Sequence, residues 1–159
     1  MKQASCLIVY ASMSGNTEEI ANEIAKGIRE AGATVEIKDI LQAEPVDLKQ
    51  SDGILLGAYT WDDGNLPDEF LDFYEAMDTL ELKGKPAAVF GSCDSYYEHR
   101  GGAVDILTEK LTELEANIIL NGLKIDLAPT PEEKEQCVQY GKSFVNGAWG
   151  RLSCSLELK

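Results

Sequence analysis

Cys6-Leu7-Ile8-Val9-Tyr10-Ala11, followed by Ser12-Met13-Ser14-Gly15-Asn16-Thr17, decides how this chain folds. The first six residues are continuously apolar and rich in β-formers, which reads as a strand buried on both faces. From Thr17 to Ala31 the apolar positions Ile20, Ala21, Ile24, Ala25 and Ile28 form a single helical stripe. Gly32 supplies the stop. A buried strand, a short polar turn and an amphipathic helix therefore follow one another directly.

The same alternation continues along the chain. Thr34–Ile37 alternates as a half-covered edge strand, and Gly53–Ala58 reads as the next buried strand. A helix follows Pro67, with Phe70, Leu71, Phe73, Tyr74 and Met77 on its inner side. Pro86–Gly91 is a fourth strand, and a helix runs from about Ala103 to Glu115. Asn117–Leu120 and Leu123–Leu127 read as one fifth strand interrupted near Asn121-Gly122, before a last helix beginning near Pro131. This pattern predicts an α/β fold: a doubly wound, three-layer sandwich around a five-stranded parallel sheet of order 2-1-3-4-5. Ligands in that architecture sit beyond the carboxyl ends of the strands, at the switch point between the first and third strands. The loops after Tyr10, Ala58 and Ser92 are therefore where function is sought.

Composition narrows the function. The chain has 159 residues, the length of one domain. Lys and Arg number 14 against 28 Asp and Glu, a formal net charge of −14. Such a surface repels phosphate backbones and anionic lipids, which argues against nucleic-acid and peripheral membrane roles and favours basic protein partners. A hydrophobic content of 44% argues against disorder. The apolar run Cys6–Ala11 is too short for an export signal, and no segment approaches the roughly 20 apolar residues of a membrane span. Cys6, Cys93, Cys137 and Cys154 form no C-x-x-C pair, so zinc is unsupported and reduced thiols in a cytoplasm are expected.

In the first loop three hydroxyls, a glycine and an amide converge on a helix N-terminus, with no Lys or Arg. Unpaired N–H groups and the helix dipole there favour an anion. The stretch is neither a Walker A loop nor a dinucleotide glycine motif. It reads as a cradle for a monophosphate, or as ordinary capping of the helix by Ser14 or Asn16. The second loop is Tyr59-Thr60-Trp61-Asp62-Asp63-Gly64-Asn65. Trp61 is either a ring platform at the sheet edge or a side chain packed on its neighbouring helix. Adjacent acids in a turn are more often solvated than metal-bound, so no metal is expected at Asp62-Asp63. The third loop, Ser92-Cys93-Asp94-Ser95-Tyr96-Tyr97-Glu98-His99, supplies aromatic faces and backbone donors. His99 reads as an exposed loop residue and Cys93 as a small packed thiol.

Together the three loops resemble the flavodoxin family. Ser12–Thr17 matches its S/T-x-S/T-G-x-T phosphate signature, Thr60-Trp61-Asp62-Asp63 its Thr-Trp loop, and Asp94-Ser95-Tyr96-Tyr97-Glu98 its D-S-x-Y-E loop. Gly102-Ala103-Val104-Asp105 also resembles family sequence, and the likeness runs from Ala4 to about Trp149. Without a long insertion in the fifth strand, the chain resembles a short-chain member. The resemblance implies an FMN-binding domain over residues 1–149 and a tail, 150–159, to which no role attaches. It implies that Ser12, Ser14, Asn16 and Thr17, with the backbone of Gly15, hold the FMN phosphate, and that Trp61 and Tyr97 sandwich the flavin ring. It implies too that Asp94 supplies backbone groups to the ring's pyrimidine edge, and that Met13, Thr60, Asp62, Asp63, Gly64, Ser92 and Cys93 complete the lining.

The implied activity is non-covalent FMN binding and one-electron transfer at low potential between reductases and acceptor proteins. Flavodoxin/ferredoxin reductases and acceptor enzymes with basic surfaces are the partners implied, and a monomer is expected. The alternative is an FMN-dependent quinone or nitro reductase, against which the short loops argue. A receiver-type signalling module lacks its acids after the first and third strands. Between Lys49 and Lys83 every charged residue is acidic, a cluster expected to lie beside the Trp61 loop and to oppose an anionic flavin. Where many short-chain relatives carry glycine after the loop Trp, this chain has Asp62, which implies a weaker preference for the one-electron-reduced flavin.

Overall fold

A computed structural model describes residues 4–13, 15–61, 64–93 and 101–150. The elements are β1 (Ser5–Ala11), α1 (Asn16–Glu30), β2 (Thr34–Asp39), α2 (Asp47–Gln50), β3 (Gly53–Ala58) and α3 (Asp68–Ala76). There follow a 3₁₀ turn (Met77–Thr79), β4 (Pro86–Cys93), α4 (Gly102–Glu113), β5 (Asn117–Ile118), β6 (Leu123–Asp126) and α5 (Pro131–Trp149). All strand pairings in the sheet are parallel, in the order β2-β1-β3-β4, with β5 and β6 both on β4. The fold is the flavodoxin-like three-layer sandwich of order 2-1-3-4-5. Its fifth position is filled by two short strands, split where the Asn121-Gly122 signal falls.

Period-two alternation sorts the buried strands between two cores. Cys6, Ile8, Tyr10, Leu55, Ala88 and Phe90 face the layer of α1 and α5. Leu7, Val9, Ala11, Ile54, Leu56 and Val89 face the layer of α3 and α4. Phe70, Phe90 and Phe144 are fully buried, and truncating any of them to alanine costs about 3–5 kcal/mol. α5 begins with a complete capping box: the Thr130 hydroxyl accepts the Glu133 N–H, and the Glu133 carboxylate accepts the Thr130 N–H.

The helix after Pro67 differs from expectation on one face. Phe70, Phe73 and Met77 are buried, but Leu71 is 40% exposed and Tyr74 only partly covered. The apolar stripe is wider than the face that packs, and the surplus turns outward. Cys6, Cys93 and Cys137 are buried. No described helix is long and apolar enough to cross a membrane, and no metal-ligating cluster occurs among the described residues.

The acidic stretch is also more dispersed than its sequence suggests. Asp68, Glu69, Asp72 and Glu75 lie on α3, next after the Trp61 loop. Asp52 precedes β3 at the opposite edge of the sheet, where its carboxylate accepts the Ser5 N–H (2.9 Å). Asp78 pairs with the buried Lys110 ammonium at 2.6 Å, which also lies 4.1 Å from the centre of the Tyr74 ring. The expectation that the whole run clusters beside Trp61 is corrected: a strand spans roughly 3.3 Å per residue and separates its two ends.

Candidate functional site at the carboxyl edge

Sheet register builds the site. Ala11 pairs with Ala58, Gly57 with Phe90, and Cys93 with Asp126, so the ends of β1, β3, β4 and β6 share one edge. The first two sequence-flagged loops leave that edge side by side, and the third follows from Cys93. Ser14, Asp62, Asp63, Asp94 and Tyr97 lie outside the described residues.

In the first loop Gly15 is the N-cap of α1 and adopts φ 91°, a left-handed conformation glycine takes without penalty. A Cβ on Gly15 would meet nothing within 4 Å among the described residues, so the loop is open there. Ser12 caps the helix from three residues upstream. Its hydroxyl accepts the Gly15 N–H at 3.1 Å and the Glu18 N–H at 3.4 Å. Of the capping residues the sequence offers, Ser14 lies outside the described residues, and the described helix N–H groups of Gly15 and Glu18 go to Ser12. The amides of Asn16 and Thr17 belong to the first turn, whose N–H groups have no intrahelical acceptor. Met13 is 67% exposed beside them. Thr17 is fully buried, and its hydroxyl lies 2.8 Å from that of Ser92, also buried.

The second loop is braced at both ends. Trp61 and Asn65 exchange backbone hydrogen bonds of 2.7 and 2.8 Å. Trp61 is 45% exposed and borders a groove of about 430 Å³ lined also by Leu66, Leu71, Tyr74 and Ile106. It is therefore a surface platform rather than a core side chain. Thr60 donates its N–H to the Ser92 carbonyl (3.2 Å), and its hydroxyl accepts the Ala103 N–H (3.3 Å) in the first turn of α4. Gly64 lies against Gly102. From the third loop's start, the Cys93 thiol donates to the Ile125 carbonyl at 3.4 Å, and the Cys93 carbonyl accepts the Leu127 N–H at 2.8 Å.

Two tyrosines were not anticipated. The Tyr10 hydroxyl donates to Glu18 (3.1 Å), and that of Tyr59 to both carboxylate oxygens of Glu69 (3.0 and 2.8 Å). Burial first, then the carboxylate partner, pushes each phenol up to about 12. Tyr59 precedes Thr60 in sequence, but nothing in the pattern joins it to a glutamate ten residues on.

Comparison with known proteins agrees with this geometry. The sequence family described as flavodoxin matches residues 8–141. A probable flavodoxin 2 of Bacillus subtilis is 44% identical over 142 residues, covering 89% of this chain and 94% of its own length. The crystal structure of oxidised flavodoxin 1 from Bacillus cereus is 56% identical with a TM-score of 0.87, covering 90% of this chain and 98% of its own. A short-chain flavodoxin associated with a bacterial microcompartment superposes with a TM-score of 0.87 at 32% identity, over 92% of this chain and 99% of its own. The chain belongs to the flavodoxin family, as a short-chain, FMN-binding carrier of single electrons at low potential rather than an enzyme.

Proposed function

We propose that residues 12–17 hold the FMN phosphate and that Trp61 and Tyr97 wall the two faces of the ring. Thr60, Asp62, Asp63, Gly64, Ser92, Cys93 and Asp94 line its polar edge. The observation that carries this reading is the open, left-handed Gly15 at the start of α1, on the sheet's switch edge. The donor set suits a phosphate monoester: first-turn amides, hydroxyls and no cation. Because Ser12 spends its oxygen on two helix N–H groups, what it retains for a ligand is its proton. In the Thr17–Ser92 pair one proton lies between the oxygens, which leaves one hydroxyl proton to donate elsewhere.

FMN, when bound, takes up and releases electrons singly, and the protein sets how readily. Trp61 excludes water from one face. The carboxylates of Asp68, Glu69, Asp72 and Glu75 on α3 place negative potential on the Trp61 side. Both effects make added negative charge on the ring expensive, which is the physical basis of a low potential. The same charge, within a total of −14, favours redox partners with basic docking surfaces, such as flavodoxin/ferredoxin reductases and acceptor enzymes. We place this exchange in the cytoplasm and assign it to a monomer.

Titrating apo-protein with FMN and with riboflavin tests the cradle. Each charge-assisted N–H bond contributes about 1.5–3 kcal/mol, so FMN should bind about a hundredfold tighter or more. Equal affinities for the two would remove the phosphate from the site.

A further inference from the structure

Two described residues of the Trp61 loop rest on the first turn of α4. Thr60, at its entrance, accepts the Ala103 N–H (3.3 Å), and Gly64, at its exit, lies against Gly102. A Cβ on residue 102 would stand 2.4 Å from the Gly64 carbonyl oxygen, 2.5 Å from its Cα and 2.7 Å from its carbonyl carbon. All three are backbone atoms, so no side-chain rotation relieves the clash. Both contacts come from the first turn of α4, which is firmly anchored: Ala103, Val104, Leu107 and Leu111 are buried. The loop is held less well. Trp61 is half exposed, and the backbones of Trp61 and Asn65 bond to each other. When that contact is compressed, the loop moves and the helix stays.

We infer that Gly102 is a positioning residue for electron transfer: its missing side chain lets the start of α4 seat Thr60 and Gly64, and so sets how closely Trp61 walls the flavin. The inference rests on the assignment of Trp61 to the ring proposed above. Helix propensity runs against glycine here, because alanine in a helical first turn is the better helix former. A purely local view therefore expects Gly102→Ala to be harmless or stabilising. The close approach to Gly64 expects instead a displaced wall, water at the ring and a less costly second electron.

The test is an anaerobic redox titration of the FMN-loaded protein, paired with amide exchange of the apo-protein. Gly102→Ala should raise the potential of the second one-electron step by about tenfold in its equilibrium constant, or ~59 mV. It should also weaken FMN binding and speed exchange of the Trp61 and Asn65 amides. Thr60→Val, which removes the acceptor for Ala103, should shift the same readouts in the same direction, and Thr60→Ser should shift them less. Gly84→Ala is the control for strain alone. Gly84 has φ 78° with open space around it, so alanine there lowers stability without moving the potential.

Unchanged potentials in both Gly102→Ala and Thr60→Val overturn the inference, as does an equal shift in Gly84→Ala. Faster exchange without a shift in potential also overturns it. If Gly102→Ala does not fold, Thr60→Val decides. Failure of the underlying assignment looks different: Trp61→Ala would then leave both potentials at their wild-type values.

Discussion

The hydroxyls of Thr17 and Ser92 lie 2.8 Å apart and are buried, joining the first turn of α1 to the end of β4 across 75 residues of sequence. Two loops of the site therefore share one hydrogen bond beneath their surface. Each oxygen's partner is the other, so removing one strands a buried polar group. Thr17→Val, nearly isosteric, should cost about 1–3 kcal/mol in denaturant unfolding of the apo-protein. The Thr17→Val/Ser92→Ala double variant should recover part of that loss. Strict additivity of the two single losses would show that the hydroxyls are not coupled.

Ser12 works as a cap at a distance. Losing its acceptor for the Gly15 and Glu18 N–H groups should cost about 1 kcal/mol of stability in Ser12→Ala, the usual size of a lost N-cap. The same variant should show a smaller rise in Tm on adding FMN, because a loop that is less ordered must be ordered by the ligand. A full-sized rise with normal affinity would confine Ser12 to the helix.

How much of this was legible in the sequence follows from the range of each interaction. The layers and strand order came from local signals, since continuous apolar runs such as Cys6–Ala11 and the Ile20–Ile28 stripe carry their own periodicity. The loops of the site were legible from chemistry that a sheet edge collects. What could not be read was long-range pairing. The motif places Thr17 in the first loop but says nothing of its buried pairing with Ser92, and nothing in the pattern joins Tyr59 to Glu69. Leu71 followed the helical stripe but faces outward, because periodicity states a face's direction and not its width. The acidic run misled for the reason that charge has no periodicity: β3 carries the chain from Asp52 at one edge to Thr60 at the other.

Alkaline pH should loosen the fold before it strips the chain of order. The phenols of Tyr10 and Tyr59 are pushed from their ordinary value near 10 to about 12, and the buried thiols of Cys6 and Cys137 from about 9 to about 12. Burial is the largest cause in each. A group that holds its proton more tightly when folded contributes stability that is complete below its unfolded pKa. For the thiols that loss begins above pH 9, and for the phenols above pH 10, continuing to about pH 12. Tm should therefore fall across that window, and Tyr59→Phe should fall less steeply than wild type between pH 10 and 12. Parallel curves would mean that the fold does not hold the Tyr59 proton more tightly than the unfolded chain does.

Charge position, rather than total charge, should govern docking. Asp68, Asp72 and Glu75 lie on α3 beside the Trp61 loop, whereas Asp52 lies at the far edge of the sheet, roughly 20 Å along β3 by strand rise. Fields between exposed charges fade within about 8 Å at physiological ionic strength. Asp72→Asn/Glu75→Gln should therefore slow electron transfer to a basic c-type cytochrome and flatten its salt dependence. Asp52→Asn should leave that rate nearly unchanged at the same ionic strength. Its effect should appear in stability instead, because Asp52 accepts both the Ser5 N–H (2.9 Å) and the Ser5 hydroxyl (3.2 Å). Stopped-flow rates at three salt concentrations separate the two. Equal slowing by both variants would mean that the cytochrome responds to net charge alone and that the Trp61 edge is not where it docks.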